Sequence, residues 1–326
     1  MRRILRLGAL AALTTTLLCL SPGFASAQSF SQRAVRIIVP FPPGGGQDVV
    51  ARTIAKSLSE NWGQAVTVDN RAGGKTLIGA ELAARAAPDG HTLMMVSVEV
   101  LINTGLLGPA SVNMQRDLAS IILCSTGVNV LAVGAASRLR SIKDIIAQAR
   151  ATPGKLSYGS AGVGSTGHMA AEQLMLMAGI TLLHVPYKGT TTSLTDTMSG
   201  QIDMLIAGAP PLLTLFQSGK LRPIAVGSRK RFPLLPDVPT VDEAGLAGFE
   251  MSTFAGLMTA ARTPTAIINR LNKDIGVVLE KKEVIDLMLS GGTVAMGGSP
   301  EDMTTFIQER GATLKRLIEV AKIAID

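Results

Sequence analysis

From Val35 onward, short apolar runs alternate with segments whose apolar residues recur every three or four positions. Val35 to Val39 is almost wholly apolar and ends in a Pro/Gly cluster, the pattern of a strand covered on both faces. Residues 47–60 follow with Val50, Ile54 and Leu58 at helical spacing. The same alternation predicts strands at 66–68, 92–96, 129–133, 156–160, 182–185, 202–206 and 223–227, with helices at 77–87, 141–151, 165–178, 190–200 and 209–219. Strands separated by helices of this length imply right-handed βαβ units and parallel sheets. A Pro-rich stretch at 233–239 breaks the rhythm, and a strand-like run follows at 251–258. Residues 264–281, 283–290 and 300–321 read as helices, the last with Ile307, Leu314, Leu317, Ile318 and Ala321 on one face.

The expected fold class is therefore α/β, doubly wound with mainly parallel sheets. The chain builds a first lobe over 28–130, crosses to a second over 131–250, and returns over 251–326 to close the first. Two crossings leave a cleft, and open α/β sheets bind ligands at the carboxyl ends of their strands.

Composition narrows the class. The chain has 326 residues, 47% of them hydrophobic, which allows a large core and excludes disorder. Arg2, Arg3 and Arg6, the apolar run Leu7–Leu20 and the triplet Ala25-Ser26-Ala27 have the layout of a signal peptide over 1–27, cleaved after Ala27. That run, about 14 residues, falls short of the ~20 a spanning helix needs. The expected product is a free periplasmic protein with no membrane insertion. Cleavage lowers the net charge from +7 to +4, and no dense Lys/Arg block or aromatic platform suggests nucleic acid. Cys19 leaves with the signal, and Cys124 reads as a small buried hydrophobe. His91, His168 and His184 lack metal-ligand spacing, so neither metal nor cofactor is expected.

Two loops carry candidate chemistry. Pro40-Phe41-Pro42-Pro43-Gly44-Gly45-Gly46-Gln47-Asp48 lies between a strand and a helix. Its glycines let an anion approach main-chain N–H groups at a helix start, while Asp48 suits a cap on its own helix. Tyr158 to His168 is a second strand-to-helix loop, with a formal G-x-G-x-x-G at 162–167. It reads as a second anion cradle, and His168 is the histidine placed near the cleft. The enzymatic alternative is an NADP-dependent oxidoreductase using those glycines with Lys188 on the 2′-phosphate. No acidic residue follows the next strand where a ribose would need one. Gly73-Gly74-Lys75-Thr76 fails the phosphate-loop pattern because Asp69 stands at the required glycine, and no G-x-S-x-G elbow exists.

Read in order, VRIIVPFPPGGGQDVVAR (35–52), NRAGG (70–74), IGAELAARAAPDGHTL (78–93), PGKLSYGSAGVGSTGHMAAEQL (153–174), HVPYKGTTTSLTDTMSGQIDM (184–204), GKLRPIAVGSRKRFPLLPDVPTVDEAGLAGFE (219–250) and TPTAIINRLN (263–272) form one pattern. The pattern resembles the Bug family of periplasmic solute-binding proteins, the TctC-like receptors of tripartite tricarboxylate transporters. The resemblance implies a two-lobed type II periplasmic-binding-protein fold, a Venus flytrap. It implies a monomer without catalytic residues that captures a small carboxylate for membrane permease subunits, or alternatively for a sensor without transport.

The resemblance further implies a ligand held between the loops Phe41 to Asp48 and Ser160 to Thr166 by amides, hydroxyls and waters. The site residues so implied are Phe41, Pro43, Gly44, Gly45, Gly46 and Asp48 on one side. On the other stand Ser160, Ala161, Gly162, Val163, Gly164, Ser165, Thr166 and His168, with Ser97, Val98, Ala207 and Gly208 lining the rest. Departures from the pattern are Ala72, Lys75-Thr76-Leu77 and His91, and the small Ala207 and Gly208 hint at an altered ligand size.

Overall fold

Val35, Ile37, Ile38 and Val39 are wholly buried, and this first strand, β1 (Val35–Val39), sits inside a ten-stranded sheet. The computed structural model describes residues 33–106, 111–187 and 189–323, and Arg33–Asp326 forms one compact unit. The expected signal segment 1–27, with Cys19, and also Lys188 lie outside the described residues. The remaining strands are β2 (Val66–Asn70), β3 (Thr92–Val96), β4 (Leu118–Gly134), β5 (Ser157–Ser160), β6 (Leu183–Pro186), β7 (Met204–Gly208), β8 (Leu221–Val226), β9 (Ser252–Ala260) and β10 (Thr293–Ala295). The longer helices are α1 (Gly46–Trp62), α2 (Leu77–Ala84), α3 (Ile142–Ala151), α4 (Thr166–Ala178), α5 (Thr190–Ser199), α6 (Pro210–Gln217), α7 (Thr265–Leu279), α8 (Lys282–Ser290) and α9 (Pro300–Ala321).

The strand order is β2-β1-β3-β9-β4-β7-β5-β6, with β8 and β10 also pairing β4. β4 organises the molecule. Its 17 residues, at roughly 3.3 Å each, extend about 55 Å. Leu118–Val128 pairs with β9 and, over Ser125–Gly127, with β10 on the other edge. Asn129–Gly134 pairs instead with β7 and β8. One strand thus belongs to two half-sheets. Asn129, buried at the changeover, donates from Nδ2 to the Met251 carbonyl at 2.9 Å, and its own carbonyl accepts from the Gly227 N–H at 2.8 Å.

The expectation of mainly parallel sheets needs correcting. β1/β2, β1/β3, β5/β6 and β5/β7 are parallel, as the βαβ rhythm predicts. The pairs β3/β9, β4/β9, β4/β7, β4/β8 and β4/β10 are antiparallel. The sheet is mixed because β4 passes through both halves and β9 inserts beside it on the way back. The sequence predicts this strand only over 129–133, and the structure extends it back to Leu118 through Ser125, Thr126 and Gly127. Pairing on both edges holds those polar residues in the strand.

Helix ends follow local chemistry. Ser141, Ser165 and Ser299 accept from the first-turn N–H groups of α3, α4 and α9, and Ser299 forms a reciprocal capping box with Asp302. Gly63, Gly179 and Gly200 end α1, α4 and α5 in the left-handed conformation. Cys124 is fully buried, and loss of hydration pushes its thiol well above the usual range, so it behaves as a core residue.

Candidate functional site

The first loop is held open by Asp48. Its Oδ2 accepts from the Gly44 N–H at 2.9 Å and from Arg52 Nε at 2.8 Å, and its Oδ1 accepts from Asn70 Nδ2 at 2.9 Å. Asn70 Nδ2 also reaches the Phe41 carbonyl at 3.1 Å. Gly44 takes φ +85°, a value that disfavours any side chain. Burial of the Asp48 carboxyl would raise its pKa, but the bonds from Arg52, Gly44 and Asn70 outweigh it and hold the value below the usual range. Asp48 is therefore a buried brace behind the loop and presents no face to a ligand.

Asp48→Asn is expected to destabilise the protein by about 1–3 kcal/mol, because partners of a buried acceptor lose their bond. With the folded-state pKa depressed, the Asp48 contribution is full above the unfolded value near 3.8 and disappears as pH falls through the folded one. Urea midpoints of parent and variant should converge as pH falls below 3.8.

Helix α1 starts at the N-cap Gly45, which has no side chain to satisfy the first-turn donors. The N–H groups of Gly46 and Gln47 have no intrahelical acceptor, and they open onto a cavity of about 870 Å³. Helix α5 repeats this arrangement. Its N-cap is Gly189, again without a side-chain cap, and both Gly189 and Thr191 line the same cavity. By contrast, α3, α4 and α9 begin on serines whose hydroxyls take up those donors. The cavity lies where the half-sheets meet, against Ser125, Gly127 and Val128 of β4 and Thr253, Phe254 and Ala255 of β9. Helix N-termini with free amides attract anions.

Of the residues the sequence singled out, Phe41, Pro43, Gly44, Gly45, Gly46 and Gly208 line this cavity. Asp48, Ser97, Val98 and Ala207 are buried beside it. Ser97 donates its hydroxyl to Glu99 Oε2 at 2.7 Å, and Glu99 reaches the wall in its place. Lys75 and Thr76 both take left-handed φ, and neither lies on this wall.

The second loop behaves differently. Ser160, Ala161, Gly162, Val163, Gly164, Ser165, Thr166 and His168 are not on the cavity wall. Three of its main-chain donors are spent internally. The Gly162 N–H reaches Ser160 Oγ at 3.1 Å, the Gly164 N–H reaches His168 Nδ1 at 3.2 Å, and the Ser165 N–H reaches the Gly162 carbonyl at 3.2 Å. Thr166 Oγ1 donates to Asn129 Oδ1 at 3.2 Å. The glycines of the 162–167 motif have packing and turn roles. Gly162 and Gly164 take φ +122° and +78°, and a Cβ on Gly167 would stand 2.0 Å from the Ile206 carbonyl oxygen. With the Gly162 and Gly164 N–H groups occupied, a pyrophosphate has no cradle there.

Behind this loop Tyr158, His184 and His168 form a stack, with ring centroids 4.7 and 4.3 Å apart. His168 Nδ1 accepts from Gly164, so its proton sits on Nε2, which faces Glu172 Oε1 at 3.4 Å. His184 Nε2 lies 2.8 Å from Ser160 Oγ. Burial lowers the His184 pKa to about 4, the adjacent His168 contributes, and Glu172 partly opposes them. Folded His184 therefore stays neutral while the unfolded chain takes up a proton below about pH 6.5. Stability conferred by this stack should be complete above pH 6.5, decline as pH falls, and level off near 4. Denaturant midpoints for the parent and His184→Phe between pH 7.5 and 4 test this. The variant should show a shallower acid slope.

Sequence reasoning missed Gln47, Glu99, Ser125, Thr191, Thr253, Phe254 and Thr293 on the cavity wall. A signal for the α5 start existed in Gly189, which stands directly before a threonine-rich helix.

A family model described as the tripartite tricarboxylate transporter family receptor matches residues 50–323. The chain belongs to that family. A "UPF0065 protein in tcbD-tcbE intergenic region" from Pseudomonas sp. (strain P51) is 36% identical over 89% of this chain and 87% of its own. The structure of the R. palustris protein Rpa4515 with adipate superposes with TM-score 0.78 at 32% identity, covering 90% of this chain and 98% of that one. The periplasmic binding protein BugD gives TM-score 0.74 at 28% identity over 90% and 98%. The receptor fold of this family is the α/β periplasmic-binding-protein fold, and the family consists of solute-binding receptors. Among the described residues, no helix is long and apolar enough to cross a membrane, and no cluster of three His, Cys, Asp or Glu side chains is placed for a metal.

Proposed function

We propose that this receptor captures a small carboxylate in the cavity between its half-sheets and delivers it to membrane permease subunits of a tripartite tricarboxylate-type transporter. The observation that carries the reading is the pair of glycine-capped helix starts, α1 and α5, opening on one cavity without side-chain acceptors. A carboxylate supplies the missing acceptors for both. Micromolar capture requires about 8 kcal/mol, and charge-assisted hydrogen bonds contribute roughly 1.5–3 kcal/mol each. Four or five such donors suffice after the cost of ordering ligand and protein, and no arginine is required. The adipate-bound relative is consistent with this ligand class.

In this reading lobe 1 comprises 28–130 and 251–326, and lobe 2 comprises 131–250. The lobes pivot at the changeover near Asn129, Gly227 and Met251. The first loop supplies the donors of lobe 1 and the α5 start those of lobe 2, so closure gains contacts that the open form lacks. The 160–166 loop supports lobe 2 from within. The chain is exported to the periplasm after cleavage behind Ala27 and works as a monomer. The test is a thermal-shift screen of mono-, di- and tricarboxylates and amino acids, followed by calorimetry on the hits. At least one acid should raise the melting temperature and bind in the micromolar range or tighter. Silence of every acid alongside clear binding of neutral sugars would overturn the reading.

A further inference from the structure

The charge of the cavity wall points to a narrower ligand class. Among the described residues that line it, Glu99 is the one ionisable side chain; the others are glycine, proline, apolar, hydroxyl and one amide. Glu99 is half-buried, and the Ser97 hydroxyl occupies part of its acceptor capacity through Oε2. A carboxylate has about four lone-pair sites, so most of that capacity remains. Gln47, in the first turn of α1, is the one amide side chain among the described lining residues. Its Nε2 donates to the Phe254 carbonyl at 3.0 Å, which fixes the orientation of the amide. Its Oε1 is then a buried acceptor with no hydrogen-bond partner among the described residues. One wall thus combines donors at two helix starts with a single carboxylate, Glu99.

We infer that the ligand is a zwitterionic amino acid. Its carboxylate meets the amides of α1 and α5, and its ammonium group meets Glu99. This rests on the carboxylate reading of the same cavity and adds to it the identity of the second group. A dicarboxylate would bring its second negative charge beside Glu99 with no cationic side chain among the described lining residues to neutralise it. An ammonium brings three donors and the opposite charge. Glu99 is therefore the residue that sets specificity, selecting by attraction to one class and repulsion of the other.

Calorimetry on the purified protein with matched sets tests this. Suitable sets are 4-aminobutyrate, succinate and butyrate; 6-aminohexanoate, adipate and hexanoate; and L-alanine and L-leucine as α-amino acids. The parent should bind its best amino acid at least ~10-fold more tightly than the dicarboxylate of equal length, as expected for one desolvated charge pair. Glu99→Gln, which keeps the side-chain volume, should weaken the amino acid by ~10-fold or more and strengthen the dicarboxylate. If the parent prefers the dicarboxylate, or Glu99→Gln leaves the ranking unchanged, the assignment to Glu99 is wrong while carboxylate capture stands. If no acid in any set binds the parent, carboxylate capture itself fails and this inference with it. The ranking in the parent decides the matter even if the variant folds poorly.

Discussion

Replacing Gly45 by valine is expected to reduce carboxylate affinity by roughly 10- to 100-fold while leaving the fold intact. The backbone at Gly45 is extended, with φ −75° and ψ 166°, a conformation that β-branched residues adopt freely. A Cβ placed there meets nothing closer than the Pro42 carbonyl at 3.8 Å, an ordinary contact. The isopropyl group nevertheless stands over the first-turn N–H groups of α1 and denies them a ligand oxygen. Losing one charge-assisted hydrogen bond, worth roughly 1.5–3 kcal/mol, gives the stated loss. The melting temperature should stay level or rise slightly, because valine restricts the unfolded chain more than glycine does. Calorimetry with any acid from the carboxylate screen, beside a thermal melt, measures both quantities. Parent-like affinity would remove the first loop from the site.

Gly167→Ala should have the opposite profile. The added methyl would lie 2.0 Å from the Ile206 carbonyl oxygen and 3.0 Å from its carbon, and both belong to the backbone of β7. No side chain can swing aside, so α4 must lift from the sheet. Overpacking against main chain costs about 3 kcal/mol or more, and the melting temperature should fall by about 10 °C. A scanning-calorimetry comparison of the two proteins checks this. A variant that melts with the parent would mean that α4 does not press on β7 at this residue. A Gly164→Ala variant gives a useful contrast, since φ +78° at that position costs backbone strain of roughly 1–2 kcal/mol.

These two glycines explain how much of the site was legible. Both lie in strand-to-helix loops of similar composition, and both loops read as anion cradles. The distinction was present locally, for the residue at the helix start is glycine in one loop and serine in the other. Ser165 caps α4 with its own hydroxyl, while Gly45 and Gly189 leave their helices uncapped. Which loop reaches the cavity was not legible. That depends on how the connections after β1, β3, β6 and β7 pack around the cavity, while the connection after β5 turns in on its own hydrogen bonds. The first half of β4 was hidden for a related reason, because Ser125-Thr126-Gly127 becomes strand only through the partners β9 and β10 supply.

By itself the sequence determined the α/β rhythm, the position of most helices and strands, and the glycine-rich helix start that offers amides to an anion. Those are short-range properties: apolar periodicity, capping and backbone freedom each act within a few residues. Tertiary structure alone decided the mixed sheet, the choice between the two loops and the company the ligand keeps. Gln47 meets the Phe254 carbonyl 207 residues away, and Glu99 shares a wall with Gly189 and Thr293. The wall of a cavity is the sum of such distant meetings, and the packing of the sheet brings them together.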